Sequence, residues 1–227
     1  MQGDTTALKT SPFVMLGVVH RDPGGRDLLR SWLDAIAPEV ITLEFSAYGL
    51  EFRKVNGPRY LELLRDRLGE LGSATRPRSE EVGSALRTFM ELPYEFEVTS
   101  EYTRQYDLPL YLVDMDIFSY LRLRKTDELM SRKNMEELLN HDGENSKSPE
   151  VALAELCLRG LAKTIPYTAE MGVRDTYMRD RISVLMRFHG DKRFLHVCGW
   201  QHLSDPLGLY EALRPIKVFS HDRTLCV

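Results

Sequence analysis

Cysteine is scarce in this chain, and the few cysteines present do not form a CxxC pair. The 227 residues contain three of them, Cys157, Cys198 and Cys226. Three cysteines cannot all pair with one another, and this spacing disfavours both a disulfide framework and a thiolate zinc site. We therefore expect a reducing compartment and predict a cytosolic protein.

Long hydrophobic runs and a strong charge of either sign are also missing. The longest early apolar stretch, residues 13–19 (FVMLGVV), is far shorter than the roughly 20 residues that a transmembrane helix needs. It has neither the basic flank nor the small-residue cleavage site of a signal peptide. Thirty Lys and Arg against 34 Asp and Glu give a formal net charge of −4, whereas duplex-binding proteins usually carry a basic excess. We expect neither a membrane nor a nucleic-acid partner.

Three motifs of common enzyme classes are absent from the sequence. There is no GxSxG, which disfavours a hydrolase with a nucleophile elbow. There is no GxGxxG and no Walker A sequence, so a dinucleotide-binding or P-loop site has no support.

The hydrophobic pattern alternates between short β-branched runs and longer amphipathic stretches. Nearly continuous apolar runs of this length are typical of strands that are buried on both faces. They occur at residues 13–19, 39–43, 108–113, 193–197 and 216–219. The stretches between them repeat at three and four residues, as helices do. The pattern predicts an α/β fold with a mostly parallel central sheet and helices on both faces.

Two parts of the chain depart from simple strand–helix alternation. Residues of about 47–106 and 117–190 are almost entirely helical in pattern, and a polar break (NHDGENSKSP) interrupts the second at 140–149. We interpret both as helical excursions from one sheet, so that residues 1–227 form a single domain.

Polar side chains with metal-binding or acid–base chemistry follow four of the predicted strands. They are His20, Glu44, Asp114 with Asp116, and His202. Because ligands of an open parallel sheet bind at the carboxyl ends of its strands, we expect these side chains to share one edge. Two imidazoles and several carboxylates are suited to a divalent metal or to general acid–base chemistry. Asp116 is also placed to cap the helix that follows it.

Both histidines of this set occur in the same local pattern, Gly-x-x-His. With 15 glycines and 6 histidines, chance predicts about 0.4 such matches in a chain of this length, and the sequence contains the two. Glycine at the strand end lets the backbone turn sharply and leaves room for a ligand or metal beside the imidazole.

The paired motifs GVVH (17–20) and GWQH (199–202), with Glu44 at the end of the second strand, resemble the TraB/PrgY/Tiki superfamily, which is related to the erythromycin-esterase and ChaN-like folds. The resemblance covers most of the chain. It extends to LPYEFEVTSEY with Glu95, LPLYLVDMDIFSYLRLR (108–124), VRDTYMRDRI (173–182) and FLHVCGWQHL (194–203).

The sequence departs from the family pattern at three places. Met115 stands in the middle of the turn where the family has Asp-Arg-Asp, and Val173 stands where a Glu usually precedes Arg-Asp. Trp200 and Gln201 replace small residues of the final motif, which suggests a more filled pocket.

The resemblance to Tiki-type members implies a metal-dependent hydrolase of amide, peptide or related acyl bonds. Carried over residue by residue, it makes His20, Glu44 and His202 the metal ligands. Two imidazoles and one carboxylate with an open position suit Zn²⁺, Mn²⁺, Co²⁺ or Fe²⁺. The metal would activate a water and polarise the scissile carbonyl of a small-molecule or peptide substrate.

Three further residues are assigned catalytic roles on the same basis. Glu95 or Asp114 would act as a base or would orient a histidine through its second ring nitrogen. Arg174 would hold a substrate carboxylate or stabilise a developing oxyanion. A purely structural ion pair of Arg174 with Glu44 or Asp114 is the alternative.

Two other functions remain open at the sequence level. The erythromycin-esterase relatives suggest hydrolysis without a metal, with His20 as general base and Glu44 orienting it. The ChaN-like relatives suggest a non-catalytic, tetrapyrrole-binding or regulatory domain, in which a histidine would be an axial ligand and Trp200, Tyr167 and Tyr177 would line the pocket. The sequence does not define an oligomeric state.

Overall fold

A computed structural model describes residues 5–71, 76–140, 154 and 167–222 of the chain. Its five strands are β1 (Phe13–Val18), β2 (Val40–Leu43), β3 (Leu110–Leu112), β4 (Phe194–Gly199) and β5 (Ile216–Phe219). Each begins and ends within two residues of a predicted strand. Continuous β-branched runs therefore identified the strands correctly.

Of the described helices, the first precedes β1 and the others lie between the strands. They are α1 (Thr5–Thr10), α2 (Gly25–Ile36), α3 (Ala47–Leu71), α4 (Arg76–Met90), α5 (Tyr94–Tyr106), α6 (Asp116–Leu123), α7 (Thr126–Leu129), α8 (Arg132–Asn140) and α9 (Ala169–His189). Short 3₁₀ turns at Trp200–Ser204 and Glu211–Leu213 follow β4. The polar break predicted at 140–149 falls almost entirely outside the described residues.

The strands form one parallel sheet in the order β3-β2-β4-β1-β5. Strand β4 lies in the centre and pairs with both β1 and β2; Gly17 of β1 is opposite Cys198 and Val18 is opposite Gly199. This arrangement confirms the α/β fold with a mostly parallel sheet. It also brings the N-terminal and C-terminal Gly-x-x-His motifs onto neighbouring strands.

The central strands β1 and β4 are buried along their whole length, as a parallel sheet covered on both faces requires. On one face, Phe13, Met15 and Phe194 pack in a cluster with Met178 and Ile182 of α9. Residues that alternate with these along the strands, among them Leu16 and Val197, are equally buried. Helices α2 and α5 pack against each other, and Tyr102 of α5 donates a hydrogen bond to the Leu33 carbonyl of α2.

An ion-paired clamp fixes the start of β2 beside the start of β4. The Glu39 carboxylate accepts hydrogen bonds from the Arg193 backbone N–H (3.1 Å) and guanidinium (3.3 Å) and from Lys192 Nζ (2.9 Å). The hydrogen bond from Lys192, followed by that from the Arg193 backbone, lowers the pKa of Glu39 from 4.5 to about 2, although burial opposes the shift.

The chain divides into two compact units. The first contains the sheet and comprises Met1–Phe45, Tyr94–Met115 and Lys147–Val227; the second comprises Ser46–Pro93 and Asp116–Ser146. The second unit is helical in its described part and has its own core, with Tyr60 and Leu64 of α3, Leu86 and Met90 of α4, and Leu123 of α6. The predicted excursions both pass through this unit, but α5 and α9 belong to the unit that contains the sheet. The single domain stays a prediction.

Among the helices that the structure describes, none has the length and apolar character needed to cross a membrane.

Candidate functional site

The carboxyl ends of four neighbouring strands supply the site, in the order that the sheet dictates. Asp114 follows β3, Glu44 follows β2, His202 lies in the 3₁₀ turn after β4, and His20 lies two residues after β1. Adjacent parallel strands end about 5 Å apart, so successive side chains of this row reach one another. The sheet unit adds Glu95 from the first turn of α5 and two consecutive residues, Arg174 and Asp175, from α9.

Glu44 lies at the centre of this row and is hydrogen-bonded through both carboxylate oxygens. Oε1 lies 3.0 Å from His202 Nε2 and 2.5 Å from Arg174 Nη2, and Oε2 accepts the Gly199 backbone N–H at 2.7 Å. Burial raises the pKa of Glu44, but the charge and hydrogen bond of His202 and the charge of Arg174 outweigh it and hold the pKa well below 4.5. Glu44 is therefore ionised.

Arg174 bridges two of the strand-end carboxylates. Its Nε and Nη2 lie 3.0 and 2.8 Å from the two oxygens of Asp114, and Nη2 also reaches Glu44. Only 13% of the side chain is exposed. Burial opposes its charge, but Glu44 and Asp114 raise the pKa of the guanidinium above its ordinary value. Both predicted ion pairs of Arg174 are present.

His202 is buried between two carboxylates. Its Nε2 faces Glu44, and its Nδ1 lies 2.6 Å from Asp175 Oδ1. Burial lowers the pKa of His202, but the charge of Glu44 and the hydrogen bonds of both carboxylates raise it from 6.5 to about 10. The raised pKa favours the protonated ring, which donates from Nδ1 to Asp175 and from Nε2 to Glu44.

His20 presents a similar contact but is open to solvent. Its Nδ1 lies 2.6 Å from Glu95 Oε1; 45% of the histidine side chain is exposed, against 5% of the glutamate. Its other nitrogen, Nε2, lies beside Gly199. The backbone N–H of Gly199 in turn donates a hydrogen bond to Glu44. The carboxylate that holds His20 Nδ1 is thus that of Glu95, whereas sequence reasoning gave Glu44 this role in the metal-free mechanism.

The glycines of the two Gly-x-x-His motifs have reciprocal roles. A β-carbon at Gly199 would lie 2.9 Å from His20 Nε2, so this glycine makes room for the histidine of the other motif. A β-carbon at Gly17 would lie 2.5 Å from Leu203 Cδ1 and 3.0 Å from the Trp200 Cα, so that glycine admits the turn that carries His202. The room predicted beside an imidazole exists, but each glycine provides it for the opposite motif.

The cluster carries more negative than positive charge. The side chains of Glu44, Glu95, Asp114 and Asp175 are at most 9% exposed, and their buried cations are Arg174 and His202. Four carboxylates, counted as ionised, against two cations leave an excess of two negative charges. Buried charge of this kind is costly unless it is compensated. The site therefore favours a further positive charge, from a proton on His20, a metal ion or a substrate group.

All six predicted site residues lie in this cluster: His20, Glu44, Glu95, Asp114, Arg174 and His202. Sequence reasoning missed Asp175, although it lies in the quoted VRDTYMRDRI segment directly after Arg174. It also missed the role of Tyr167 and Tyr210, whose hydroxyls both donate to Asp175. The available signal was the adjacency of Arg and Asp in one helix, which places the two side chains on neighbouring faces about 100° apart.

The structure also gives the surroundings of the other polar or aromatic candidates. Asp116 is the first residue of α6, and its Oδ1 accepts the Tyr48 backbone N–H in the first turn of α3, so it caps a helix other than the expected one. Cys198 is buried, and burial raises the pKa of its thiol well above 9. Trp200 is fully buried, and Tyr177 lies under the guanidinium of Arg181.

The donor set suits a divalent transition metal in type and in ring orientation. Both histidines have Nδ1 on a buried carboxylate, which is the usual arrangement of metal-bound imidazoles and leaves Nε2 for the metal. The side chains are spaced for hydrogen bonds with one another: His202 Nε2 lies 3.0 Å from Glu44 Oε1. Within the described ranges, no group of three or more His, Cys, Asp or Glu side chains is arranged to hold a metal ion.

Comparison of the chain with protein-family models, with curated proteins and with solved structures found no match.

Proposed function

We propose that this site hydrolyses amide, peptide or related acyl bonds with the help of a divalent metal, in a protein of the TraB/PrgY/Tiki type located in the cytosol. The observation that carries the proposal is the matched pair of histidines. Each has Nδ1 on a buried carboxylate, and the Nε2 atoms lie against Glu44 or against the Gly199 backbone that binds Glu44. The buried negative excess is a second support, because a divalent cation would offset it.

His20, Glu44 and His202 are the residues that would hold the metal. When bound, a divalent metal supplies a water of lowered pKa and polarises a scissile carbonyl. Glu95 fixes the ring of His20, and Arg174 forms ion pairs with Glu44 and Asp114. Because Arg174 is bonded to both carboxylates, it orients the acidic groups, and its predicted role toward a substrate carboxylate or an oxyanion stays a prediction.

A second candidate, hydrolysis without a metal, is favoured by the pair of His20 and Glu95. A buried carboxylate that accepts from Nδ1 of a half-exposed imidazole is the arrangement of a general base. In this mechanism His20 Nε2 takes a proton from water, and Glu95 stabilises the resulting imidazolium. The neighbouring imidazolium of His202 is buried and positively charged, so it is placed to stabilise negative charge.

Metal analysis of protein purified without chelator tests the proposal. We expect about one equivalent of a divalent transition metal in the wild type, and its loss in His20→Ala and His202→Ala. Hydrolysis of peptide and ester substrates should cease in chelator and return with metal. A metal-free wild type that still cleaves esters would support the metal-free mechanism, and a metal-free, inactive protein would refute both candidates.

A matched control is available within the unit that contains the sheet. His189 is a histidine outside the site, where its Nε2 contacts the Tyr111 hydroxyl at 2.9 Å. We expect His189→Ala to retain both metal and activity, which separates loss of a ligand from a general effect of removing an imidazole.

A further inference from the structure

We infer that Asp175 is the positioning residue of His202, and that the hydroxyls of Tyr167 and Tyr210 hold it in place. This inference rests on the proposed function, because it concerns the same site. It adds a residue that the strand-end pattern does not reveal.

Asp175 is fully buried and is bonded from three parts of the chain. Oδ1 lies 2.6 Å from His202 Nδ1 and accepts the Tyr210 hydroxyl at 3.0 Å. Oδ2 accepts the Tyr167 hydroxyl at 2.5 Å. The partners come from the 3₁₀ turn after β4, from the segment just before α9 and from the segment that leads to β5. A carboxylate with three donors has its charge compensated and its orientation fixed.

The two phenols remain donors because their pKa values are raised. Burial is the largest cause for both, and the charge and hydrogen bond of Asp175 add to it. A phenol that does not ionise keeps its O–H proton, so each of these hydroxyls can donate to Asp175. The network therefore keeps Oδ1 directed at His202.

The consequence is a fixed choice of ring nitrogen. With Nδ1 donating to Asp175, Nε2 is the nitrogen that His202 presents to Glu44. A ring flip would place carbon atoms against both carboxylates, and each buried carboxylate would lose the hydrogen bond from His202. His20 differs, because it is half-exposed and its Nδ1 faces one carboxylate, that of Glu95. His202 is thus a buried histidine held on both sides by carboxylates, whereas His20 is held by Glu95 and is half-exposed.

Two readouts test this assignment with Asp175→Asn, Tyr167→Phe and Tyr210→Phe. The first is the proton spectrum of the metal-free protein, in which a short Nδ1–H hydrogen bond to a carboxylate gives a strongly downfield, slowly exchanging resonance. The second is the affinity for Zn²⁺ and for Mn²⁺, each added alone and measured by calorimetry. Tyr102→Phe is the matched control, since Tyr102 is a buried tyrosine of the sheet unit that donates to a backbone carbonyl outside the site.

We expect Asp175→Asn to abolish the His202 resonance and to weaken metal binding by about 10- to 100-fold, the usual effect of losing a carboxylate behind a metal-bound histidine. Each Tyr→Phe variant of the network should weaken binding several-fold, and Tyr102→Phe should change neither readout. The graded series keeps the test valid if Asp175→Asn does not fold.

The inference is overturned if Asp175→Asn, or both network tyrosine variants, keep the resonance and the wild-type affinity. Failure of the proposed function has a different signature. A wild type that binds neither metal removes the metal-dependent mechanism, whereas the resonance in the metal-free protein still reports whether Asp175 holds His202.

Discussion

At the scale of single residues, Gly199 shows how closely the two motifs are fitted to each other. Its backbone has φ −59° and ψ 142°, which any residue can adopt, so the constraint is space and not conformation. The space is taken by the Nε2 end of His20 and, slightly farther away, by Glu44 Oε2.

Gly199→Ala should therefore damage the site much more than the fold. The added methyl group collides with the end of a half-exposed side chain, which can move away. We expect the free energy of unfolding to change by less than about 1 kcal/mol, while hydrolysis or metal affinity falls at least about 10-fold because His20 is displaced. Denaturant unfolding and activity assays on the same preparation measure both.

Gly17→Ala is the matched comparison. Its methyl group would meet Leu203 and the backbone at Trp200, both buried. We expect a loss of stability of about 1–3 kcal/mol from overpacking. Equal effects of the two alanines on stability would contradict the view that Gly199 serves the site and Gly17 the core.

Arg174 is the residue whose loss should cost most stability. Arg174→Met leaves Glu44 and Asp114 buried without their shared cation, and breaking a buried ion pair from one side costs about 3–5 kcal/mol. Chemical denaturation measures the difference. Arg181→Met, on an exposed part of the same helix, should change stability by no more than about 0.5 kcal/mol. Similar values for the two variants would mean that the bridge adds nothing to stability.

The sequence revealed the strand-end members of the site and missed those on helices and loops. His20, Glu44, Asp114 and His202 could be found because parallel strands end at a common edge, whatever the loops do. Asp175 lies within a 21-residue helix, where no comparable rule selects one polar residue over the next. Only the packing of α9 on the sheet identifies it.

At the scale of elements, the Glu39 clamp joins two strand starts that are about 150 residues apart in sequence. The Glu39 carboxylate accepts hydrogen bonds from the Arg193 backbone N–H and from the side chains of Lys192 and Arg193. The clamp is remote from the polar site, since it lies at the opposite, amino end of the strands. It therefore gives a test of fold stability that does not involve the site.

Glu39→Gln should destabilise the protein by about 0.5–1.5 kcal/mol at neutral pH, because a charged acceptor becomes neutral. The folded-state pKa of Glu39 is lowered to about 2, so its contribution is complete above pH 4.5 and disappears as the pH falls toward 2. The stability difference between wild type and variant should shrink over that interval, as measured by urea unfolding at several pH values. A difference that stays constant or grows there would contradict the assignment.

The strands were predicted to within two residues, whereas the distribution of the helices was not. A β-branched run buried on both faces has few alternatives, so its sequence identifies it. Helices α3 and α5 carry similar patterns, yet α3 belongs to the helical unit and α5 packs beside α2 in the sheet unit. Periodicity shows that a helix has a buried face but does not show which partner covers it.

At the scale of the whole molecule, binding of a metal to the folded state should stabilise the sheet unit. At a free metal concentration of 100 times Kd, the gain is about 2.7 kcal/mol. We expect this shift in the urea midpoint of the wild type, and no shift in His202→Ala, which lacks one of the three proposed metal ligands. A shift of equal size in the variant would show that the metal binds elsewhere on the protein.

The position of β4 in the sheet has a consequence for biosynthesis. This strand lies between β1 and β2, although it is translated about 150 residues after β2. Before it emerges from the ribosome, His20 and Glu44 belong to strands that have no partner between them, and the turn that carries His202 does not yet exist. The strand-end cluster of His20, Glu44 and His202 therefore cannot assemble in a nascent chain until the fourth strand has inserted between β1 and β2.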